Sequence, residues 1–308
     1  MSHCYFSDDV VSESLKSQVH DFWEANPCGA KFAEIEIGTP EFFAQVEKHR
    51  YATEWHIPEV IRFERWSGRD VLEVGCGLGT EAVRFARVGA HYTGVDLTER
   101  SIELARRRFD QEGLAGQLRV ADAEALPFDD ESFDLVYSHG VLHHTPDTQR
   151  AIDEIHRVLR PEGTAMVMLY HKRSYNYYVN IMTLRRWGIR LLAFDWGPSL
   201  VSKVTGEDRG RLVEMQRLYR SDARSLLSRE NFVSQNTDGV GNPLAKVYTR
   251  RTATKMFSRF ASVSTEVHFI NKRWIPIFGK LMPRGADRLL ARIAGWHLWI
   301  IARKGERQ

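Results

Sequence analysis

The sequence predicts an α/β protein in which helices cover both faces of a parallel sheet. Three observations predict this fold. Apolar segments alternate with helix-patterned segments between Asp70 and Tyr170, a glycine-rich turn follows the first apolar segment, and acidic residues close the second and third. Alternation with short turns is typical of parallel sheets, and glycine turns and acidic strand ends are typical of ligand sites at the carboxyl edge of such sheets.

Each core element follows from a local pattern. The first strand is the apolar segment 70–74, and the next helix covers 81–88, since Ala82, Phe85 and Ala86 recur at helical spacing. Thr98 is the predicted N-cap of a helix that extends to Phe109. The remaining core elements are strands at 91–95, 117–121, 133–138 and 163–170 and a helix at 148–159.

The alternation stops after Tyr170 and resumes about 75 residues later. Between these points the patterns predict helices at 176–194 and 209–227, turns at 195–206 and a loop at 236–243. A helix at 249–260, a strand at 263–270, a connection with Pro276 and Pro283, and a strand at 296–302 follow. Residues 1–69 contain helical patterns at 15–24, 41–51 and 58–66 and precede the first strand. The predicted organisation is a helical lid at 1–69, an α/β core at 70–170, a helical insertion that caps the substrate at 171–245, and a return of the sheet at 246–308.

Composition narrows the class of protein. The chain has 308 residues, is 43% hydrophobic and carries a formal net charge of only +3, which is too small for a protein whose main partner is nucleic acid. Residues 71–162 have a balance of −7 and residues 171–230 one of +6. No apolar segment reaches the roughly 20 residues of a membrane span, and residues 1–9 lack a secretory pattern. The three cysteines Cys4, Cys28 and Cys76 leave an odd thiol, which fits a reducing compartment. We therefore expect a cytoplasmic protein without stable membrane insertion.

The glycine-rich turn runs from Glu73 to Thr80 and contains Gly75, Gly77 and Gly79. Glycines allow a sharp turn and close approach of a ligand to the backbone, although a plain strand-to-helix turn can use them too. A dinucleotide-binding turn places its third glycine where Thr80 stands, and a phosphate-binding P-loop has a Gly-Lys pair that is absent here. Both phosphate-binding interpretations are therefore weakened.

Two acidic positions narrow the kind of ligand that the predicted site can bind. Asp96 closes the second strand 21 residues after Gly75, where its carboxylate can accept hydrogen bonds from both hydroxyls of a ribose. Asp122 and Ala123 follow the third strand, where a carboxylate can accept from an adenine amine. Each acid alone can be explained without a ligand: Asp96 can be a neighbour of a helix cap, and Asp122 can be a solvated turn residue. Three such features at adjacent strand ends favour one adenosine site.

Six segments then carry a resemblance to a known family, in its order and at its distances. They are Glu73-Val-Gly-Cys-Gly-Leu-Gly79, Asp96, Asp122-Ala-Glu-Ala-Leu-Pro-Phe128, Phe133-Asp-Leu-Val136, His139-Gly-Val-Leu-His-His144 and Leu159-Arg-Pro-Glu-Gly163. By these motifs the segment 70–170 resembles the class I S-adenosylmethionine-dependent methyltransferases, in the branch of the ubiquinone and menaquinone methylases with a type 11 methyltransferase domain. The match covers about a third of the chain strongly.

The resemblance implies a Rossmann-like sheet of seven strands in the order 3-2-1-4-5-7-6, with the last strand antiparallel. It implies S-adenosyl-L-methionine as cofactor and S-adenosyl-L-homocysteine as product. By the same resemblance, Gly75, Gly77 and Gly79 line the methionine and ribose portion, Asp96 the ribose, and Asp122 and Ala123 the adenine. His139 lies beside the methionine portion, mainly through its backbone. Glu73, which can orient the turn or reach the cofactor amino group through water, completes the predicted cofactor site together with Thr80 and Leu97.

Methyl transfer needs a positioned nucleophile, exclusion of water and, for a weakly acidic acceptor, a proton acceptor. The candidate bases at the carboxyl edge are His143, His144, Tyr170 and His171. At least one of His143 and His144 can instead be structural, with its ring bonded to a loop carbonyl. No Cys or carboxylate stands at a zinc-type spacing to these histidines, so no metal site is predicted.

The insertion begins with aromatic residues among arginines. Tyr175, Tyr178 and Arg185 are the predicted substrate-binding residues, since aromatic walls suit a flat or hydrophobic small molecule and arginine suits an anionic group. The alternative is that they form the insertion's own core and solvated face. Phe22, Trp23 and Tyr51 are predicted to form a lid over the cofactor, and exposed aromatic residues in lid and insertion permit a homodimer. The sequence leaves open a non-methylating enzyme that consumes S-adenosylmethionine, a nicotinamide oxidoreductase and a non-catalytic partner protein.

Overall fold

A computed structural model describes residues 8–270, 283 and 285–306. Cys4, Pro276 and most of the segment tested for a secretory pattern lie outside this range. Seven strands form one sheet in the order β3-β2-β1-β4-β5-β7-β6, as the resemblance implies. The strands are β1 (Asp70–Val74), β2 (His91–Asp96), β3 (Gln117–Val120), β4 (Phe133–His139), β5 (Leu159–Tyr170), β6 (Ser262–His268) and β7 (His297–Arg303).

Strands β1 to β5 pair in parallel, and β7 pairs antiparallel with both β5 and β6. Alternate residues face opposite sides of the sheet, so Val71 and Leu135 belong to one hydrophobic core and Leu72 and Val136 to the other. Both faces are therefore buried, which explains why the core strands are apolar runs rather than alternating patterns.

Helices precede, connect and follow these strands. The α-helices are α1 (Asp8–Ala25), α2 (Pro40–Thr53), α3 (His56–Ile61), α4 (Ala82–Arg87), α5 (Glu99–Glu112), α6 (Thr148–Val158), α7 (Arg186–Gly188), α8 (Gly197–Thr205), α9 (Arg209–Leu226), α10 (Arg229–Thr237), α11 (Arg250–Met256) and α12 (Ala286–Ala294). A π-helix covers Asn176–Arg185, and 3-10 helices cover Ala30–Phe32, Phe63–Trp66, Leu142–His144 and Ile189–Ala193. Within the described ranges, no helix has the length and apolar character of a membrane span.

The insertion differs from its predicted pattern in three places. The single helix expected at 176–194 consists of π, α and 3-10 turns, and the expected turns at 195–206 contain the helix α8. Gly197 and Pro198 resemble turn residues in sequence, but proline fits the first turn of a helix. The C-cap of α8 is Gly206, with φ 72°. The predicted loop at 236–243 begins late because α10 extends to Thr237.

Candidate active site

A cavity of about 990 Å³ lies at the carboxyl ends of the parallel strands. The glycine turn and the ends of β2, β4 and β5 form its floor, and residues of α1 and α2 also line it. Thr237 and Asp238 bring the insertion to the same cavity. The site therefore combines the core with elements on both sides of it in the sequence.

The glycine turn has the backbone that the sequence predicts. Gly75 has φ 80°, and a Cβ there would lie 2.1 Å from Val141 Cγ2, so a side chain is excluded both by conformation and by space. Gly77, with φ 50°, lines the cavity, and its N–H donates to Asp96 Oδ2 at 2.9 Å. Gly79 is not among the lining residues; a Cβ on it would contact Ala105 of α5 at 3.4 Å, which makes it a residue of close helix packing.

Asp96 lies between the glycine turn and α5. Its Oδ1 accepts hydrogen bonds from the Thr98 N–H at 3.0 Å and the Thr98 hydroxyl at 2.8 Å. Thr98 occupies the N-cap position as predicted, but its side chain makes no capping hydrogen bond because it turns toward this carboxylate. Burial raises the pKa of Asp96, and the hydrogen bonds from Thr98 and Gly77 oppose that rise. The carboxylate is held rigidly at the cavity wall.

The predicted adenine carboxylate already has a partner from the N-terminal segment. Lys16 Nζ in α1 lies 2.7 Å from Asp122 Oδ2 and 2.9 Å from Glu124 Oε2. Burial acts to lower the pKa of Lys16, but the hydrogen bonds to Asp122 and Glu124 outweigh it and raise that pKa. Ala123 lines the cavity beside this cluster. The ion pairs of Lys16 therefore hold α1 against the carboxyl end of β3.

Two of the three predicted lid aromatics reach the cavity. Phe22 and Trp23 line it, whereas Tyr51 does not and donates its hydroxyl to the Thr80 carbonyl at 3.3 Å. Glu73 lines the cavity but accepts a hydrogen bond from Tyr92 at 2.6 Å. Burial, reinforced by Glu81, raises the pKa of Glu73 well above its ordinary value. Thr80, Leu97 and His139, which are also predicted cofactor residues, line the cavity as well.

His144 is the candidate base with the best placement. It lines the cavity, with its ring 5.2 Å from that of Trp23. Nδ1 lies 2.5 Å from the Leu244 carbonyl oxygen, which can only accept, so Nδ1 carries the proton. Nε2 has no hydrogen-bond partner among the described residues, and Asp238 Oδ2 lies 3.4 Å from it. The ring thus keeps an unpaired nitrogen lone pair beside a carboxylate.

Tyr170 and Asp238 complete this group. Tyr170 lines the cavity and donates its hydroxyl to Asp238 Oδ1 at 2.7 Å. Burial, together with the charge of Asp238, raises the pKa of Tyr170 well above its ordinary value, so the phenol stays protonated. In this structure Tyr170 is therefore a hydrogen-bond donor to Asp238. No motif in the sequence marks Asp238, whose local signal is its position in a glycine-rich loop.

The other two candidate bases lie outside the cavity. His143 is fully buried with its ring centroid 3.7 Å from that of Tyr170, and His171 is held by the Gly295 carbonyl at 3.0 Å from its Nδ1. Burial lowers the pKa of both residues, and for His143 the shift is well below the ordinary value. Both rings are buried and neutral. The assignment of either residue as a base stays a prediction, and the cavity lining does not support it.

None of the predicted substrate residues of the insertion lines the cavity. Tyr178 is 53% exposed, and Arg185 forms an ion pair with Glu207 inside the insertion. Tyr175 is half-buried and is also absent from the lining. The insertion does reach the site, but through residues 237–238.

Arg50 of α2 is a second residue that the sequence analysis missed. It lines the cavity, with Nε 3.0 Å from Glu81 Oε1 and Nη1 3.0 Å from Glu54 Oε1. Its Nη2 lies 2.9 Å from His139 Nδ1. No local motif marks this arginine, since only the packing of α2 over the glycine turn brings it to the site.

A histidine cluster adjoins Arg50. One ring nitrogen each of His56, His139 and His297 lies within 4.8 Å of the others, a spacing that a metal ion can bridge. Arg50 can only donate, so Nδ1 of His139 accepts and its Nε2 carries the proton. In this tautomer Nε2, which lies 3.6 Å from Glu54 Oε2, carries a proton, whereas metal ligation needs a lone pair. The cluster as it stands is a hydrogen-bonding group, and the prediction of no metal stays a prediction.

With this geometry in place, comparisons with known proteins identify the class. Residues 72–167 match the family model described as a methyltransferase domain. The chain is 32% identical over 136 residues to a demethylmenaquinone methyltransferase of Clavibacter sepedonicus, covering 41% of this chain and 54% of that protein. It is 45% identical over 98 residues to a phthiotriol/phenolphthiotriol dimycocerosates methyltransferase of Mycobacterium tuberculosis, covering 31% and 36%.

The chain thus spans about half or less of the length of these curated relatives. Among solved structures, a Pyrococcus horikoshii protein aligns with a TM-score of 0.52 at 16% identity over 92% of this chain and 98% of that one, which shows the shared fold. The α/β core is a class I S-adenosylmethionine-dependent methyltransferase domain. S-adenosylmethionine is the cofactor of this class.

Proposed function

We propose that the protein transfers a methyl group from S-adenosylmethionine to a small molecule bound in the same cavity. One observation carries the proposal: the glycine turn, Asp96 and His144 all line a single cavity of about 990 Å³. That volume is at the upper end of the range for small-molecule sites, so a cofactor and an acceptor can bind side by side. A cofactor site and an unpaired imidazole nitrogen then face a common space.

The residues present fit the cofactor. Gly77 leaves open space where a Cβ would stand. The Asp96 Oδ1 accepts two hydrogen bonds from Thr98 and Oδ2 accepts one from the Gly77 N–H, so Oδ2 keeps an acceptor position for a ligand. We assign the ribose hydroxyls to Asp96 and the carboxylate of the methionine portion to the Arg50 guanidinium, which is already oriented by Glu54 and Glu81. Leu97 and Ala123 supply apolar walls for the adenine beside Asp122.

The bound cofactor supplies an electrophilic methyl group. The protein supplies position, exclusion of water and a proton acceptor. His144 Nε2 takes the proton of an acceptor O–H or N–H, and Asp238, 3.4 Å away, stabilises the imidazolium that results. The Leu244 carbonyl holds Nδ1–H and so keeps Nε2 available.

The acceptor is proposed to be flat or hydrophobic, because the aromatic rings of Trp23, Tyr170, Phe269 and Trp296 line the cavity. The prediction that the acceptor carries an anionic group depended on Arg185. The charge of Arg185 is paired with Glu207, so this residue does not support that prediction. We further propose a cytoplasmic location with no nucleic-acid partner. The free thiols of Cys28 and Cys76 are consistent with a reducing compartment, and the core is net acidic.

Calorimetric titration of the full chain with S-adenosylmethionine, S-adenosylhomocysteine and NAD tests the cofactor assignment. Both adenosyl ligands should bind, and Asp96→Ala should weaken them by about tenfold or more, because a hydrogen bond to a charged acceptor is lost. Asp153→Ala, which removes a partly exposed carboxylate on α6, is the matched control and should leave both affinities unchanged.

Binding of NAD alone would overturn the proposal. Release of methylthioadenosine instead of S-adenosylhomocysteine during turnover would also overturn it, because the sulfonium would then be used in a reaction other than methyl transfer. Retained affinity in Asp96→Ala would remove the ribose assignment while leaving the choice of cofactor open.

A further inference from the structure

The insertion carries a concentration of exposed apolar side chains that the cavity does not use. Eight of the fifteen exposed large hydrophobic residues of the described chain lie between 178 and 204. We call this stretch the exposed aromatic segment. Its members are Tyr178, Val179, Leu184, Trp187, Phe194, Trp196, Leu200 and Val204.

Much of the segment is organised as a helix face. Trp196, Leu200 and Val204 follow one another at intervals of four residues at the start of α8 and along it, which places them on one side of that helix. The Phe194 ring stacks on Trp196 with centroids 5.0 Å apart and planes 9° apart. Val204 is 76% exposed and Trp187 is 70% exposed. Such exposure of several large apolar side chains marks an interaction surface rather than scattered surface residues.

Two exposed basic side chains of the segment, Arg190 and Lys203, are not offset by an acid of the described chain. Arg190 and Lys203 are exposed, and within the described part of the chain neither has a carboxylate within 4.0 Å. Arg190 lies 5.2 Å above the Trp187 ring. The acid of the segment, Asp195, is paired with Arg220 at 2.6 Å, so it does not offset this positive charge. The partner that complements the surface is therefore apolar and anionic.

We propose that the exposed aromatic segment docks the protein on the surface of an anionic lipid bilayer. Tryptophan and phenylalanine side chains enter the boundary between headgroups and acyl chains, while neighbouring arginine and lysine side chains contact anionic headgroups. A second copy of this chain would bring Arg190 and Lys203 toward the same positive charges, which opposes self-association through this face. This inference is independent of the proposed methyl transfer.

Co-sedimentation with vesicles tests the docking. The full chain should bind vesicles of phosphatidylcholine that contain about one-third phosphatidylglycerol. Its affinity for vesicles of phosphatidylcholine alone should be lower by about tenfold or more. The double variant Trp187→Ser, Val204→Ser should reduce binding to the mixed vesicles about tenfold or more, since it removes apolar area that enters the bilayer. The double variant Arg190→Glu, Lys203→Glu should do the same and should abolish the preference for anionic vesicles.

Matched controls lie elsewhere on the surface. Val120→Ser changes an exposed apolar residue of β3, and Arg251→Glu reverses an exposed charge of α11; both should bind vesicles like the wild type. Unchanged far-UV circular dichroism and S-adenosylhomocysteine affinity check that the segment variants are folded.

Three results would overturn the proposal. The first is a failure of the wild type to sediment with either vesicle, and the second is an equal loss of binding in the controls and the segment variants. The third is a wild-type dimer in light scattering that becomes a monomer in Trp187→Ser, Val204→Ser, which would show that a second copy covers the segment.

Discussion

The α/β core and the insertion at 171–245 contribute to the cavity in different ways. In the core, nine of the ten predicted cofactor residues line the cavity, with Gly79 as the exception. In the insertion, the predicted Tyr175, Tyr178 and Arg185 lie elsewhere, and Asp238 enters instead. A parallel sheet brings its strand ends to one edge by its hydrogen-bonding pattern, whereas the direction of a side chain in a helical insertion depends on packing.

The comparison also separates positions that are adjacent in sequence. His143 and His144 follow the same strand, yet only His144 faces the cavity and Asp238. His143 packs under Tyr170 with both ring nitrogens unpartnered among the described residues. For the proposed base His144, the insertion therefore supplies the neighbouring carboxylate.

Replacement of His144 gives the largest expected effect. His144→Phe should lower kcat by about 100-fold or more, because the proton acceptor is lost while ring packing against Trp23 is largely kept. The measurement is release of S-adenosylhomocysteine with any acceptor that supports turnover. The cofactor affinity should not change.

His143→Phe is the matched control for that experiment, since it makes the same substitution one residue away and outside the cavity. It should keep kcat within about threefold of wild type. Equal loss of kcat in the two variants would show that the effect of His144→Phe is structural.

Asp238→Asn tests the contribution of the insertion to the core site. The change should lower kcat about tenfold, because the carboxylate that faces His144 Nε2 at 3.4 Å loses its charge. In the double variant with His144→Phe, the Asp238 change should cost nothing further, since both act on one proton. Additive losses would contradict a shared role.

The pH dependence of stability distinguishes His143 from an ordinary histidine. Burial lowers the pKa of His143 well below 6.5, so its ring stays neutral in the folded state and gains a proton on unfolding below pH 6.5. The associated stability is complete above pH 6.5 and is lost as the pH falls. Relative to His143→Phe, the wild type should therefore lose about 1.4 kcal/mol of unfolding free energy per pH unit below 6.5.

Urea denaturation of the two proteins between pH 7 and pH 5 measures this difference. The comparison with the variant cancels the titration of other groups that both proteins share. A constant difference across that range would show that the His143 ring takes up its proton in the folded protein.

The smallest effect is expected in the insertion. Tyr178→Ala should change kcat/KM by less than about twofold, because the ring is 53% exposed and does not line the cavity. Steady-state kinetics with the same acceptor measures it. A large rise in KM would show that the aromatic residues of the insertion contact the acceptor.

The sequence predicts the sheet order through family resemblance and the strand limits through local pattern. β1 occupies the predicted residues 70–74, because a buried parallel strand is a short apolar run bounded by turn residues. The helix α8 was missed because Gly197 and Pro198 are also turn residues. Arg50 and Asp238 could not be predicted, since each reaches the cavity only through contacts between segments far apart in the chain.

A crystal structure of the full chain with S-adenosylhomocysteine is the most direct test of the proposed site, because it shows whether core and insertion share it. We expect ribose hydroxyls in hydrogen-bond contact with Asp96, the amino-acid carboxylate at Arg50, and an open space between the sulfur and His144. A ligand bound away from the glycine turn, or a sulfur separated from His144 by the protein chain, would contradict it.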